Sequence, residues 1–162
     1  CIRDRGERMN EVGIIFNNRI LDVTFVAWFV AQFYKVLETI FTNKDFNLKR
    51  FLETGGMPSS HSSTVSCLTT CIGIVYGTNT PYFAIAIVFA GITMYDAAGI
   101  RRAAGRQAKI VNKMVDEFAQ RLGQRFNDGK KLKELLGHTP FEVLIGATVG
   151  IIIAFLFKDY LV

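Results

Sequence analysis

Two histidines are the residues in this chain that are best suited to acid–base or nucleophilic chemistry, and each precedes an apolar stretch typical of a helix. His61 lies in GGMPSSHSS, where Ser59 and Ser60 can supply hydroxyl groups that cap a helix start and are candidates for binding substrate phosphate. The free N–H groups of a helix start bind anions, and an imidazole beside them can donate a proton to a phosphate ester. A helix cap without chemistry is the alternative interpretation.

His138 lies in LLGHTPFEVLIG, and Glu142 follows it by four residues. Four residues correspond to about one helical turn, so the carboxylate is expected to reach the imidazole and orient it. A carboxylate on one ring nitrogen leaves the other nitrogen nucleophilic. This motif could also be a cap alone, but two such histidines on one side of a membrane favour a functional site.

Cationic side chains near these motifs are candidates for holding phosphate oxygens. Lys35 stands toward the end of the first apolar segment, and Arg50 precedes a glycine pair. Arg101 and Arg102 end the third segment. A charge at the edge of a spanning helix is costly unless it is paired or binds an anion, and guanidinium groups bind phosphate oxygens in pairs. A solvated basic strip is the alternative for Arg102, and Asp96 is expected to pair with one of the arginines rather than to act as a base.

Four apolar segments would position these residues. They span approximately residues 20–41, 62–76, 81–98 and 141–157. A spanning helix needs roughly 17–25 residues, and a chain of 162 residues is too short to bury four such helices that are apolar all round. We therefore expect an all-α, multi-pass membrane helical bundle of about four transmembrane helices, with buried helices of a large soluble protein as the alternative. Small residues within the segments favour close helix packing. They are Gly73, Gly77, Gly91, Gly146 and Gly150.

Residues 107–126, between the third and fourth segments, have apolar side chains at helical spacing and charges elsewhere. The apolar side chains are Val111, Met114, Val115, Phe118 and Leu122. The pattern predicts an amphipathic helix that lies along the membrane surface or covers one face of the bundle. An ordinary amphipathic helix without a lipid role is the alternative.

The charge distribution suggests a topology. Fourteen of the nineteen lysines and arginines lie between Lys35 and Lys133, in or beside the two long connections, whereas the tight turn at residues 77–80 has none. Both basic connections should therefore face the same side, which the positive-inside rule places in the cytoplasm. Phosphate binding would account for some of the same cations. The net charge of +5 suits anionic headgroups or a phosphorylated substrate better than nucleic acid.

Residues 1–8 (CIRDRGER) precede Met9 and are interpreted as an extension or disordered start, which leaves residues 9–162 as one membrane-embedded domain. The three cysteines include no CxxC pair. Cys67 and Cys71 are interpreted as small buried hydrophobes, not as a disulfide or zinc site. The two histidines lie on separate segments without an Asp/Glu cluster, so neither a divalent metal nor another cofactor is expected.

Three motifs, PSSHS, MYDAAGIRRAAGRQA and ELLGHTPFEVLIG, together resemble the divergent branch of the type 2 phosphatidic acid phosphatase superfamily, which includes acid phosphatase and vanadium-dependent haloperoxidase relatives. The resemblance covers about residues 12–157. It implies a lipid or polyprenyl phosphate phosphatase of the bacterial cytoplasmic membrane. It also implies that His138 attacks phosphorus to form a phosphohistidine and that His61 protonates the leaving group. Glu142 would replace the family aspartate behind His138.

The sequence departs from the superfamily pattern in both cationic motifs. Superfamily spacing would place the last motif's arginine at Leu132, so we hypothesise that Arg101 or Arg102 takes this role. Lys35 fits the lysine of the first motif, but no Arg-Pro follows at the expected distance, and Arg50 could compensate.

Two other functions remain open at this point. One is a non-catalytic phospholipid-binding, anion-binding or transport protein that retains the phosphate pocket, which the incomplete first motif supports. The other is a haloperoxidase-like oxidase, which is less favoured because a membrane setting gives no reason for halide chemistry. Vanadate is otherwise expected only as a phosphate mimic. A homodimer is plausible, since four short helices are few for an isolated bundle.

Overall fold

The computed structural model describes residues 13–43, 57–122, 132 and 137–162 of the chain. In chain order the elements are α1 (Arg19–Asn43), α2 (Ser60–Tyr76), α3 (Pro81–Tyr95), a π-helical turn (Asp96–Ile100), α4 (Arg101–Leu122), α5 (Pro140–Leu156) and α6 (Lys158–Leu161). The described residues contain no strand. The four predicted apolar segments correspond to α1, α2, α3 and α5. Residues 1–8, which were interpreted as an extension, lie outside the described part of the chain.

Local sequence signals account for the helix starts. A hydroxyl side chain caps each of three helices by accepting a backbone N–H from the first turn: Ser59 for α2, Thr80 for α3 and Thr139 for α5. Proline occupies the first turn of both α3 and α5, where its missing N–H costs nothing. Gly77 ends α2 at a φ of 87°, a conformation that favours glycine.

Helix α2 lies at the centre of the bundle and packs against α1, α3 and α5. Its buried side chains are mostly small and polar, and two of their hydroxyls donate to carbonyls of neighbouring helices. Ser63 Oγ donates to the Ala27 carbonyl at 3.3 Å, and Thr69 Oγ1 donates to the Ala86 carbonyl at 3.2 Å. The expectation that apolar residues surround every helix is therefore wrong for α2, because the other three helices separate it from lipid.

Helices α1 and α3 run antiparallel to α2. Near the middle of α1, Ala27 lies beside Ser63, and toward its end Lys35 lies beside Ser60. Later residues of α1 therefore lie beside earlier residues of α2, as expected for antiparallel helices. Helix α3 follows α2 through the tight turn at residues 77–80 and returns along it. The end of α1, the start of α2 and the end of α3 therefore lie at the same end of the bundle.

Helix α5 runs parallel to α2 with almost no space between the two backbones. A Cβ atom on Gly146 would collide with the carbonyl of Ser59, and one on Gly150 would collide with the carbonyl of Ser63. Only glycine permits this approach. Because the two helices are parallel and in contact near their starts, the segments that precede them meet at the end of the bundle where α1 and α3 finish.

The predicted role of glycine in helix packing is confirmed at three of the five positions. Gly146 and Gly150 contact α2, and a Cβ on Gly73 would lie 3.1 Å from the Phe83 ring. The predicted packing role is wrong for Gly91, which faces open space, and for Gly77, which forms the turn after α2. A helical glycine without a neighbour cannot be told from a packing glycine by sequence alone.

The surface of the bundle is apolar, whereas its interior is rich in small and polar side chains. Two helical stretches, Arg19–Leu37 and Pro81–Phe118, are long and apolar enough to cross a membrane, and Pro140–Leu156 is a shorter apolar helix. Large apolar side chains on these stretches are exposed. They include Phe29, Phe33, Ile85, Val88, Phe89, Ile92, Leu144, Ile152 and Phe155. Exposed large apolar and buried small polar residues are typical of helices that pack in lipid, and the predicted all-α membrane bundle is confirmed.

The predicted amphipathic helix is α4, which begins at Arg101, six residues earlier than expected. Its buried face consists of Gly105, Ala108 and Asn112, and the Asn112 side chain forms two hydrogen bonds with the backbone of Leu132. The apolar side chains of the predicted stripe are exposed from Val111 to Phe118. This arrangement favours the membrane-surface interpretation, because the apolar stripe does not cover the bundle.

A buried carboxylate closes the opposite end of the bundle. Asp22 in the first turn of α1 accepts the backbone N–H groups of Ile14 at 2.6 Å and Phe16 at 2.8 Å. It also accepts the hydroxyl of Tyr160 in α6 at 2.7 Å. These hydrogen bonds join the two ends of the described chain and stabilise a charge that would otherwise be costly to bury.

The α2–α5 contact can be tested by a substitution at Gly150. Replacement by leucine should force the backbones apart, because the added side chain meets the Ser63 carbonyl. Overpacking costs about 1–3 kcal/mol, which corresponds to roughly 2–4 °C of melting temperature per kcal/mol in a chain of this size. Thermal unfolding in detergent, followed by circular dichroism, would measure the change. Gly91→Leu is the matched control, and equal melting temperatures for the two variants would contradict this packing.

Candidate phosphate site

The candidate site lies at the end of the bundle where α2 and α5 begin. The structure brings nine of the ten predicted residues to this end: Lys35, Ser59, Ser60, His61, Asp96, Arg101, Arg102, His138 and Glu142. Parallel helices place two N-termini side by side there. Each N-terminus carries a partial positive charge, so the pair favours a bound anion.

His61 and His138 lie close together although 76 residues separate them in the sequence. Their ring centroids are 6.3 Å apart, with the rings edge to face. His61 is exposed in the first turn of α2, whereas His138 is only 2% exposed, two residues before α5. Since an atom between the rings could contact both, the pair has a geometry suited to attack by one histidine and proton transfer by the other.

His138 is held by its backbone, and its side chain retains an unused polar atom. The backbone N–H donates to the Ala97 carbonyl at 3.1 Å. The ring nitrogen Nε2 is buried and has no hydrogen-bond partner. Burial, followed by the positive charge of Lys35, lowers the pKa of His138 to about 4, and the charge of Glu142 opposes this shift. The ring is therefore neutral at pH 7, the form in which an imidazole is a nucleophile.

Lys35 carries its charge into the site from the end of α1. Its side chain is 7% exposed, and Nζ donates to Ser60 Oγ at 3.3 Å. Ser60 therefore contacts the ammonium group directly, which supports Lys35 in a position where its charge acts on His138. A buried ammonium beside a helix start attracts anions strongly, because the surroundings screen it less than water does.

Arg101 approaches the site from the π-turn and is paired there. Its Nε lies 2.6 Å from Asp96 Oδ2, so the ion pair expected for Asp96 forms with Arg101. The charge of Arg101 acts on His138. The Arg102 side chain is exposed, and its backbone lies beside Gly137. Arg101 therefore carries the ion pair with Asp96, and the role of either arginine as a phosphate ligand stays a prediction; Arg50 lies outside the described residues.

Glu142 and Ser59 both cap helix starts at the site. Glu142 Oε2 accepts the backbone N–H of Thr139 at 3.2 Å, and Thr139 Oγ1 accepts the Glu142 N–H at 3.3 Å. This reciprocal pair is a capping box that begins α5. Ser59 caps α2, and its backbone N–H donates to the Glu142 carbonyl at 3.2 Å. Glu142 thus orients the helix start next to His138 and places a negative charge close to the imidazole.

Two residues that shape the site were not recognised from the sequence. Ala97 supplies the carbonyl that holds His138. Gly137 packs so closely on the backbone of Arg101 and Arg102 that a side chain would not fit. Gly137 precedes His138 in a motif already noted, but a glycine before a helix usually indicates a turn. Its packing role depends on a contact with a distant segment, which spacing does not reveal.

In the part of the chain that the structure describes, no group of three or more His, Cys, Asp or Glu side chains could hold a metal ion. Cys67 and Cys71 are buried with free thiols, as expected for small interior residues. The expectation that the site works without a metal or other cofactor stays a prediction.

Comparison with known proteins agrees with the site motifs. A family model described as "Divergent PAP2 family" matches residues 16–153, and this range includes every described site residue. The chain belongs to the Divergent PAP2 family. It is also 38% identical over 138 residues to YuiD, an uncharacterized membrane protein of Bacillus subtilis (strain 168). The match covers 80% of this chain and 87% of YuiD. No solved structure matches the chain significantly.

Membership of the Divergent PAP2 family supports a PAP2-related membrane protein, and it confirms the resemblance drawn from the three motifs. The matched range begins before α1 and ends within α5, so it contains α1 to α4 and most of α5. The relative of 38% identity is itself described as a membrane protein, in agreement with the apolar surface of the bundle.

The low pKa of His138 predicts a pH dependence of stability. The unfolded chain binds a proton at His138 near pH 6.5, whereas the folded chain binds it only near pH 4. Folding should therefore become less favourable as pH falls from about 6.5 to about 4, by up to about 1.4 kcal/mol per pH unit. The melting temperatures of the wild type and of His138→Gln, measured across this range, test the sign. A parallel decline in both proteins would exclude His138 as the cause.

Proposed function

We propose that the chain is a metal-independent membrane phosphatase that hydrolyses a lipid or polyprenyl phosphate monoester or diphosphate through a phosphohistidine. The observation that carries the proposal is the pair of imidazoles 6.3 Å apart, at the start of two parallel helices. Lys35, which is buried, and Arg101, which is exposed, add two positive charges to the same end. Positive groups stabilise the negative charge of phosphate oxygens during transfer. A neutral imidazole can act as the nucleophile.

In the proposed reaction, Lys35, Arg101 and the N-terminus of α2 hold the phosphate oxygens. His138 Nε2 attacks phosphorus, so a P–N bond forms as the P–O bond to the leaving group breaks. His61 donates a proton to the departing oxygen. Water then attacks the phosphohistidine, His61 accepts its proton, and phosphate leaves with His138 restored.

The buried Nε2 of His138 supports its assignment as the nucleophile. A buried polar atom without a hydrogen bond costs about 1–3 kcal/mol, so such an atom calls for an explanation. A phosphate at the site would use the lone pair of this nitrogen. The nearby charge of Glu142 would stabilise the positive ring that forms when Nε2 attacks.

The membrane setting supports a lipid substrate. The site caps helices with apolar outer surfaces, so it lies near the depth at which lipid headgroups meet water. In the sequence, the two long basic connections directly precede α2 and α5, whose starts form the site. We infer a multi-pass protein of a bacterial cytoplasmic membrane with its site on the cytoplasmic side, on the basis of these cations and of the bacterial relative.

A non-catalytic anion-binding or transport function is the second candidate, and the Arg101–Asp96 pair favours it. An arginine that is already neutralised at 2.6 Å contributes less to transition-state stabilisation than an arginine directed only at phosphate. A binding protein would still use the helix starts and Lys35. Detection of an acid-labile phosphohistidine at His138 after rapid quenching would distinguish the enzyme from the binder.

The phosphatase proposal predicts phosphate release from a panel of lipid and polyprenyl phosphates by the detergent-purified chain. Release should persist in EDTA and should disappear in both His61→Ala and His138→Ala, since neither histidine has a substitute in the chain. Circular dichroism would establish that both variants are folded. If no substrate releases phosphate while orthovanadate still binds, the anion-binding function is the better conclusion.

A second prediction concerns Arg101. If Arg101 binds the transferred phosphoryl group, Arg101→Ala should lower kcat by about 10²–10³-fold, the effect of removing one oxyanion donor. Lys113→Ala is the matched control, because Lys113 is an exposed cation of α4 that pairs only weakly with Glu117 at 3.8 Å. Full activity of the Arg101 variant would remove this residue from the site.

A further inference from the structure

The helix that leads from α3 into α4 contains one extra residue, next to the site. Through the turn Asp96–Ile100, the N–H of Arg101 donates to the carbonyl of Asp96, five residues back. In an α-helix the same N–H would donate to Ala97, four residues back. Such π-turns are rare and are often found at functional sites.

The first consequence is a carbonyl released from the helix. Because Arg101 bonds to Asp96, the carbonyl of Ala97 is available, and it accepts the backbone N–H of His138 at 3.1 Å. Unpaired backbone groups are costly to bury, so this hydrogen bond stabilises both the π-turn and the segment before α5. The backbone of His138 is thus tied to the helix that carries Arg101.

The second consequence is the position of Arg101. Residues five apart in an α-helix point about 140° away from each other around the axis. The extra residue widens this turn, and Asp96 and Arg101 come together at 2.6 Å. The π-turn therefore directs the Arg101 guanidinium toward Asp96 and away from the direction that a regular helix would impose.

Gly137 makes the contact between the two segments possible. A Cβ at this position would lie 2.5 Å from the Cα of Arg102 and 2.7 Å from the carbonyl carbon of Arg101, and it would collide with the Arg102 nitrogen. These are backbone atoms of a helix, which cannot move without displacing their neighbours. Only glycine allows the chain before His138 to lie directly on the start of α4.

We propose that the π-turn and Gly137 form a positioning device that sets the distance between His138 and Arg101. Gly137 and Ala97 are its positioning residues: the former by its lack of a side chain, the latter through its carbonyl. The inference rests on the proposed function for its catalytic readout. The dependence of the His138 position on this contact does not require the protein to be an enzyme.

Gly137→Ala tests the proposal, with Gly91→Ala as the matched control because Gly91 faces open space in α3. The added methyl group should displace His138 from Arg101. A misplacement of about 1 Å can lower the rate about 100-fold, so kcat should fall by this factor while KM changes less than about threefold. The ring signals of His138, identified by comparison with His61→Asn, should shift in the NMR spectrum of Gly137→Ala and remain in place in Gly91→Ala. Unchanged kcat and ring signals in a folded Gly137→Ala protein would overturn the proposal.

Deletion of Gly99 is the second variant, since it returns the turn to α-helical register without adding a side chain. In this variant the Ala97 carbonyl should accept a hydrogen bond within the helix and no longer accept the backbone N–H of His138. The loss of kcat and the shift of the His138 ring signals should then resemble those of Gly137→Ala. Wild-type kcat in the deletion variant would overturn the role of the π-turn.

Orthovanadate binding separates failure of this inference from failure of the proposed function. If the wild type hydrolyses no substrate, the phosphatase proposal fails. The positioning device then predicts an orthovanadate dissociation constant about tenfold higher for Gly137→Ala than for Gly91→Ala. Equal constants, or no binding to the wild type, would overturn the inference as well.

Discussion

The close parallel contact between α2 and α5 is the constraint on which the site depends. Neighbouring helices joined by a short turn are antiparallel, so two parallel neighbours require a long crossover, which α3 and α4 provide. Lipid does not drive helices together through the hydrophobic effect, and close van der Waals packing must hold them. Gly146 and Gly150 allow that packing against Ser59 and Ser63. Without it, the two helix starts and their histidines would not share one end.

The interior of the bundle is built from side chains that are small or hydrogen-bonded. Serine and threonine hydroxyls of α2 donate to carbonyls within their own helix or on neighbouring helices, such as Ser63 to Ala27. These bonds satisfy polar groups in a region that excludes water. They also hold α1 and α3 against α2, so the same contacts that stabilise the bundle carry Lys35 and the π-turn to the site. Stability and site geometry are consequences of one packing arrangement.

The positive charges and helix starts of the site favour an anion over a cation. Lys35 is buried, His138 is neutral at pH 7 because of burial and nearby positive charge, and two helix starts add their dipoles. Asp96 and Glu142 offset part of this charge through an ion pair and a capping box. A dianionic phosphate group, as proposed, would offset the remaining positive charge. Its binding would also favour protonation of His61, the proton donor of the proposed reaction.

The sequence by itself determined the four apolar helices, the serine cap of α2 and the placement of both histidines at helix starts, because these features depend on neighbouring residues. It also indicated that Lys35 and Arg101 belong to the same end of the bundle. The His138–Glu142 spacing was interpreted as a carboxylate that orients an imidazole, which stays a prediction, and the structure adds a capping box between Glu142 and Thr139 that local spacing did not suggest. Only the tertiary structure showed that Arg101 pairs with Asp96 and that Gly137 packs directly on the start of α4. Those outcomes depend on one extra residue in a helical turn and on backbone contacts between distant segments, neither of which local spacing encodes.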